Sequence, residues 1–333
     1  MILCGEICNF VNVTLILLNM TNIANAQNPF FEKYTTPYGT VPFDKIKNEH
    51  YEPAIREGIS RQAAEIDAIV NNPEAPTFAN TILAYEKSGE LLDRVTTVFG
   101  NLRSAETNDD LQKIAQEMIP LLSEHSNNIS LNQELFERIK VVYGQKDSIE
   151  LTPEQTKLLE NAYNGFIRRG ANLQGEAKEK YRELTKNLSK LTLDFSENNL
   201  KETNNYQLTL TDEAQLAGLP ESAIEAAAET AREKGVNGWV FTLHAPSYIP
   251  FMTYADNRDL RRELYMAYNT KCTHDNEYNN LEIVKKIANI HMEIAQLLGY
   301  DNYAEYTLKE RMAETGDAVY KPVSYTHLRA HET

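Results

Sequence analysis

The chain has 333 residues, 42% of them hydrophobic and 24% charged, which suits one large globular domain or two smaller ones and excludes disorder along its whole length. Its 48 acidic residues outnumber 33 basic ones, for a formal charge of −15. With no basic stripe to offset it, such a surface repels phosphate backbones and argues against a nucleic-acid partner.

The first expected element is a targeting segment. Val11–Leu18 (VNVTLILL) is a short apolar run, and Ala24-Asn25-Ala26-Gln27 follows it with the small-x-small spacing that signal peptidase cuts. Residues 1–26 are therefore expected to be a cleaved signal peptide, and the mature protein to be exported, in the periplasm. The run falls short of the roughly 20 apolar residues of a membrane-spanning helix, so no span is expected. One feature dissents: no Lys or Arg precedes Lys33, and Glu6 sits where positive charge belongs. A buried first helix or a misplaced start, in a cytoplasmic protein, is the alternative. Cleavage would leave Cys272 as the one cysteine of three, and a single thiol forms no internal disulfide. Cys272 with His274 two residues on is a weak signal for a nucleophile.

The body reads as helical. Ile55, Ile59, Ala63, Ile66 and Val70 recur at steps of three and four within 48–70, one apolar face of a helix. Phe78, Ile82, Tyr85, Leu92, Val95 and Phe99 repeat that pattern after Thr77, a good cap. Thr152-Pro153-Glu154-Gln155 opens another helix as cap, first-turn proline and capping-box glutamine, and Gly170 stops it. From Gln174 the residues Ala177, Tyr181, Leu184, Leu188, Leu191 and Phe195 predict an amphipathic helix of roughly six turns. Each stripe is read as core packing.

A minor β region lies within 206–243. Tyr206–Thr211 alternates as a half-buried strand does, and Gly238–Leu243 is a second candidate. An Ala- and Glu-rich helix over 222–234 lies between them, ended by Gly235. Further helices are expected over 259–269, 281–298 (closed by Gly299) and 302–312. Mainly α with a small sheet is the fold class that results.

After Lys321-Pro322 the chain reads VSYTHLRAHET, with His327 and His331 four apart and Glu332 beside the second. Two such histidines on a helix could share a metal. Zinc peptidases with His-Glu-x-x-His place Glu directly after the first His, however, and Leu328 holds that position here. This stretch resembles a translated adaptor, so residues 321–333 are expected to be non-native.

Two sets of segments resemble a known family. The first is Asn28-Pro29-Phe30-Phe31, Thr36-Pro37-Tyr38-Gly39-Thr40-Val41-Pro42-Phe43-Asp44-Lys45-Ile46 and His50-Tyr51-Glu52-Pro53-Ala54. The second is Leu216–Pro220, Gly238–Leu243, Pro246-Ser247-Tyr248, Asn257–Leu264 and Leu297–Ala304. Their order and spacing are similar to those of the dipeptidyl carboxypeptidase and oligopeptidase A branch of the thimet oligopeptidase family. The resemblance implies a mostly helical zinc peptidase with a channel between two halves, which cleaves short peptides and releases dipeptides from C-termini. It implies an N-terminal helical domain over 28–205 and the start of a catalytic domain over 206–320.

The family holds zinc with the two histidines of His-Glu-x-x-His and a later Glu, and that motif occurs nowhere in these residues. His50, His125, His244, His274 and His291 each lack a partner at ligand spacing. His291 is expected to be an ordinary packed histidine, and His274, in a polar stretch with Asp275 and Glu277, to face solvent. No catalytic, cofactor-binding or metal-ligating residue is therefore assigned. The expectation is a front portion of a zinc peptidase, inactive as written, binding no zinc, and prone to self-association through an uncovered apolar face. The other class of reading is a helical module that captures peptides without cutting them.

Overall fold

A computed structural model describes residues 28–321. The expected signal peptide and the histidine pair of the tail, His327 and His331, lie outside the described residues. The fold is mainly α with one two-stranded sheet, as expected. The chain divides into two compact units. The first comprises residues 28–186 with 297–300, and the second residues 187–296 with 301–321.

The first unit begins where the resemblance does. The Asn28 side chain accepts from Phe30 N at 3.1 Å, capping a short 3-10 turn, and donates to His50 O at 2.9 Å. Phe30 is fully buried against Tyr51, whose ring meets Phe99 on its other side. Asn28, Phe30 and Tyr51 of this opening stretch are thus packing residues, whereas Tyr38 and Phe43 are exposed.

Helix α1 (Tyr51–Val70) buries Tyr51, Ala54, Ile55, Gly58, Ile66 and Ile69, and leaves Ala63 exposed. The expected stripe used successive steps of four, and two such steps drift about 80° around a helix. The inner face instead follows Tyr51, Ile55, Gly58, Gln62, Ile66 and Ile69, and so carries the polar Gln62. The run Phe78–Phe99 is likewise not one helix. It forms a π-helical segment (Phe78–Leu83), a short α2 (Ala84–Lys87) and α3 (Glu90–Ala105). The break is at Gly89, whose φ of 78° suits glycine and few other residues.

Two helices of this unit were not among those expected. In α4 (Asp109–Ser130), Pro120 and the buried polar residues His125, Asn127 and Ser130 interrupt the apolar pattern. In α5 (Gln133–Gly144), the adjacent Leu135 and Phe136 and then Ile139 and Val142 face the core, beneath an Asn132 cap. Helix α6 (Pro153–Arg168) opens as expected, with Thr152 and Gln155 bonded reciprocally at 3.0 and 3.3 Å. Phe136 stacks on Phe166 at the centre of a core that includes Ile66, Ile82, Ile139 and Leu159.

Helix α7 (Gly175–Asn205) runs 31 residues, well beyond the expected length. Tyr181 and Leu184 are buried as expected, but Phe195 is 38% exposed and Leu193 is buried instead. Residues from 187 onward belong to the second unit, where Leu193 and Glu197 form the covered side.

In the second unit β1 (Leu208–Leu210) and β2 (Trp239–Phe241) pair antiparallel, with Leu208 opposite Phe241 and Leu210 opposite Trp239. Gly238 has φ 96°, and a Cβ there would stand 2.1 Å from Leu210 O, so only glycine lets the strands close. Helix α8 (Glu221–Glu233) lies between the strands in sequence. Helix α9 (Ala245–Tyr254), which was not expected, carries Pro246 in its first turn and Pro250 inside. Helix α10 (Arg258–Asn269) is capped by Asn257. These elements enclose Leu208, Leu210, Phe241, Leu243, Phe251 and Leu264. Helix α11 (Leu281–Leu297) follows, and α12 (Tyr303–Leu308) is shorter than the expected 302–312, with Asn302 as its cap.

Candidate functional site

Four of the five described histidines make a side-chain contact that accounts for them. His50 Nδ1 accepts from Lys47 N at 3.0 Å, closing a turn before α1. His125 is buried, its Nε2 2.8 Å from Gln62 Oε1, and burial lowers its pKa. His244 precedes α9 without capping it through its side chain. His291 stacks flat on Tyr303 at 4.0 Å, the packed histidine that was expected.

His274 is exposed, as expected. It sits in the polar loop after α10, but its partner is Glu202 of α7, whose Oε1 lies 2.7 Å from His274 Nδ1. The other oxygen, Oε2, accepts from Cys272 N. Burial raises the Glu202 carboxyl, but hydrogen bonds from His274 and the Cys272 backbone outweigh it and leave the group below the ordinary glutamate value. Cys272 is buried, and desolvation followed by the Glu202 carboxylate pushes its thiol up to about 11. A thiol held protonated at neutral pH is a poor nucleophile. Glu202 was invisible as a site residue because its partners lie 70 and 72 positions away and no local motif announces them.

Zinc, the metal that the resemblance implies, needs deprotonated donors converging on one point. Glu202, Cys272 and His274 have the right residue types but do not fit. Both carboxylate oxygens already accept hydrogen bonds, one from His274 and the other from the backbone N–H of Cys272. Among the described residues no group of three His, Cys, Asp or Glu is placed to hold a metal. No catalytic step is derived through one. Nor is any described helix long and apolar enough to cross a membrane.

What the fold defines is a class: a mainly helical chain whose opening Asn28–Phe30 segment locks onto Tyr51, followed by a unit built around one antiparallel pair of strands. The profile of Peptidase family M3 matches residues 251–332. The chain is 38% identical to the dipeptidyl carboxypeptidase of Escherichia coli over 292 residues, 87% of this chain and 43% of that protein. It is 34% identical to the oligopeptidase A of Haemophilus influenzae over 84% of the chain and 42% of that protein. It is 30% identical to the organellar oligopeptidase A of Arabidopsis thaliana over 86% of the chain and 36% of that protein. The chain belongs to Peptidase family M3, on the branch of the dipeptidyl carboxypeptidases and oligopeptidases A. It spans less than half the length of these curated relatives.

Proposed function

We propose that this chain is part of a metallopeptidase that cleaves short peptides and releases dipeptides from their C-termini. The supporting observation is the 38% identity to a dipeptidyl carboxypeptidase across 87% of the chain. Zinc is the proposed metal of the whole protein, held by residues other than those described. The 333 residues alone are proposed to be inactive, because their described donors cannot assemble a three-ligand cage. Residues 1–26 are proposed as a signal peptide of an exported, periplasmic protein, on the strength of the apolar run and the Ala24-x-Ala26 triplet. Self-association is a further expectation, since Ile249, Tyr254, Tyr265 and Met266 of the second unit are exposed.

The test uses an N-acetylated tetrapeptide with zinc, its products separated by chromatography. The full-length gene product should release the C-terminal dipeptide, and a chelator should stop it. Cleavage only at bonds other than the one before the C-terminal dipeptide would refute the dipeptide-release reading, and no cleavage would refute the peptidase reading. The 333-residue chain should release nothing, and chelator-sensitive release from it would overturn its proposed inactivity.

A further inference from the structure

Two adjoining cavities in the first unit form a cleft to which the reading above assigns no role. The larger, about 810 Å³, lies against the Lys87–Glu90 break between α2 and α3, and the smaller, about 210 Å³, lies against α4. They share Gln62, Leu92 and Leu122 as walls. Gln62 lines both, and its side-chain amide is held at both ends. Its Oε1 faces His125 Nε2 at 2.8 Å, and its Nε2 reaches Ser88 O at 3.4 Å. Burial keeps His125 neutral, so Nε2 carries the proton and donates to the amide oxygen. Gly89 leaves the room that Gln62 occupies.

The two compartments differ in charge. The smaller is lined by Arg169, which hydrogen-bonds Tyr85, and by the hydroxyls of Ser126 and Ser130, with no carboxylate among its lining residues. Leu92, Leu122 and Ile129 supply an apolar wall. The larger is lined by three carboxylates, Glu86, Glu90 and Asp93, against the single ammonium of Lys87. Glu90 also approaches Arg94, at 4.0 Å. One end therefore suits an anion beside a small apolar group, and the other suits a cation.

We propose that this cleft binds a free dipeptide as a zwitterion, its carboxylate and C-terminal side chain in the Arg169 compartment and its ammonium against Glu90 and Asp93. Arg169 can grip a carboxylate through two parallel N–H donors. A dianion would be repelled from the acidic end and a polyamine from the basic end. The proposal concerns binding in the first unit and does not rest on the peptidase reading.

The test is calorimetric titration of the 333-residue chain with Ala-Leu, Ala-Leu amide and N-acetyl-Ala-Leu. Ala-Leu should bind saturably, and amidation should weaken it roughly tenfold or more, as should Arg169→Gln. Acetylation, or Glu90→Gln with Asp93→Asn, should also weaken it, leaving a preference for the free carboxylate. Absence of saturable binding by Ala-Leu would overturn the proposal. So would equal affinity for the amide, or an Arg169→Gln protein of unchanged circular dichroism that binds as well as the parent. Should a variant fail to fold, the three ligands on the unaltered chain decide alone.

Discussion

Glu202 and His274, 72 positions apart in sequence, meet at 2.7 Å and fasten the last turns of α7 to the loop that follows α10. Other bonds tie down the same loop. Lys271 Nζ reaches Thr203 Oγ1 at 3.2 Å, and Asn205 Nδ2 reaches Tyr278 OH at 3.0 Å. Asn280 donates to Phe195 O at 3.0 Å and accepts from Asn198 Nδ2 at 2.9 Å. The long helix thus serves as a rail onto which an irregular segment is bonded, and Glu202 contributes the one charged contact to both Cys272 and His274.

Replacing that carboxylate should loosen the loop. Glu202→Gln keeps the size but puts an amide where two hydrogen bonds end on a charge, a loss of about 1–3 kcal/mol. The melting temperature should fall, and Cys272, whose thiol the carboxylate helps hold near 11, should alkylate faster with iodoacetamide. The pH dependence has a definite sign. Because the folded pKa of Glu202 is lowered, its contribution is complete above the ordinary glutamate value and disappears as pH falls through the folded one. Parent and variant should therefore melt apart at neutral pH and converge in acid. Equal melting at both would remove the fastening role.

What could be read from the amino acids, and what could not, follows from the range of each interaction. The Thr152–Gln155 capping box, the stops at Gly170, Gly235 and Gly299, and both strands were legible, because each depends on a few neighbouring residues. Helix α4 was hidden because His125, Asn127 and Ser130 are buried polar residues that only tertiary partners explain, such as Gln62 for His125 and Thr185 for Asn127. The Glu202 cluster and the cleft at Gln62 were illegible for the same reason. Only the three-dimensional fold brings 62, 89, 125 and 169 together.

Gly89 gives a direct test of how firmly Gln62 is held in that cleft. Its φ is 78°, and a Cβ on it would stand 2.2 Å from Gln62 Nε2. Alanine must pay both for the left-handed backbone and for moving Gln62 off His125. Gly89→Ala should lose about 1–3 kcal/mol in urea unfolding, with the denaturant slope unchanged. A stability within a few tenths of the parent would mean that Gln62 yields freely.

Phe30 carries the third stability prediction. It is fully buried, 5.4 Å from the Tyr51 ring, and its carbonyl accepts from Arg94 Nη2 at 2.7 Å. Phe30→Ala should cost about 3–5 kcal/mol, whereas Phe30→Leu, which retains most of the volume, should cost far less. Tyr38, fully exposed, is the internal control, and Tyr38→Ala should change the unfolding midpoint little. Equal effects at 30 and 38 would remove the opening segment from the core.

His125 predicts a loss of stability in mild acid. Burial lowers its folded pKa below the ordinary 6.5, while the unfolded chain retains that value. Above 6.5 neither state is charged and the contribution of His125 to folding is complete. As pH drops below 6.5 the unfolded chain takes up the proton first, which favours unfolding, and the loss levels off once pH has passed the folded value. Burial lowers His50 and His291 as well, so the parent protein should melt lower at pH 5.5 than at pH 7.5 for three reasons. His125→Gln cannot titrate, and its difference between the two pH values should be smaller than the parent's, measured by thermal denaturation. An undiminished difference would assign the acid sensitivity to the other histidines and leave His125 charged or neutral at no cost to the fold.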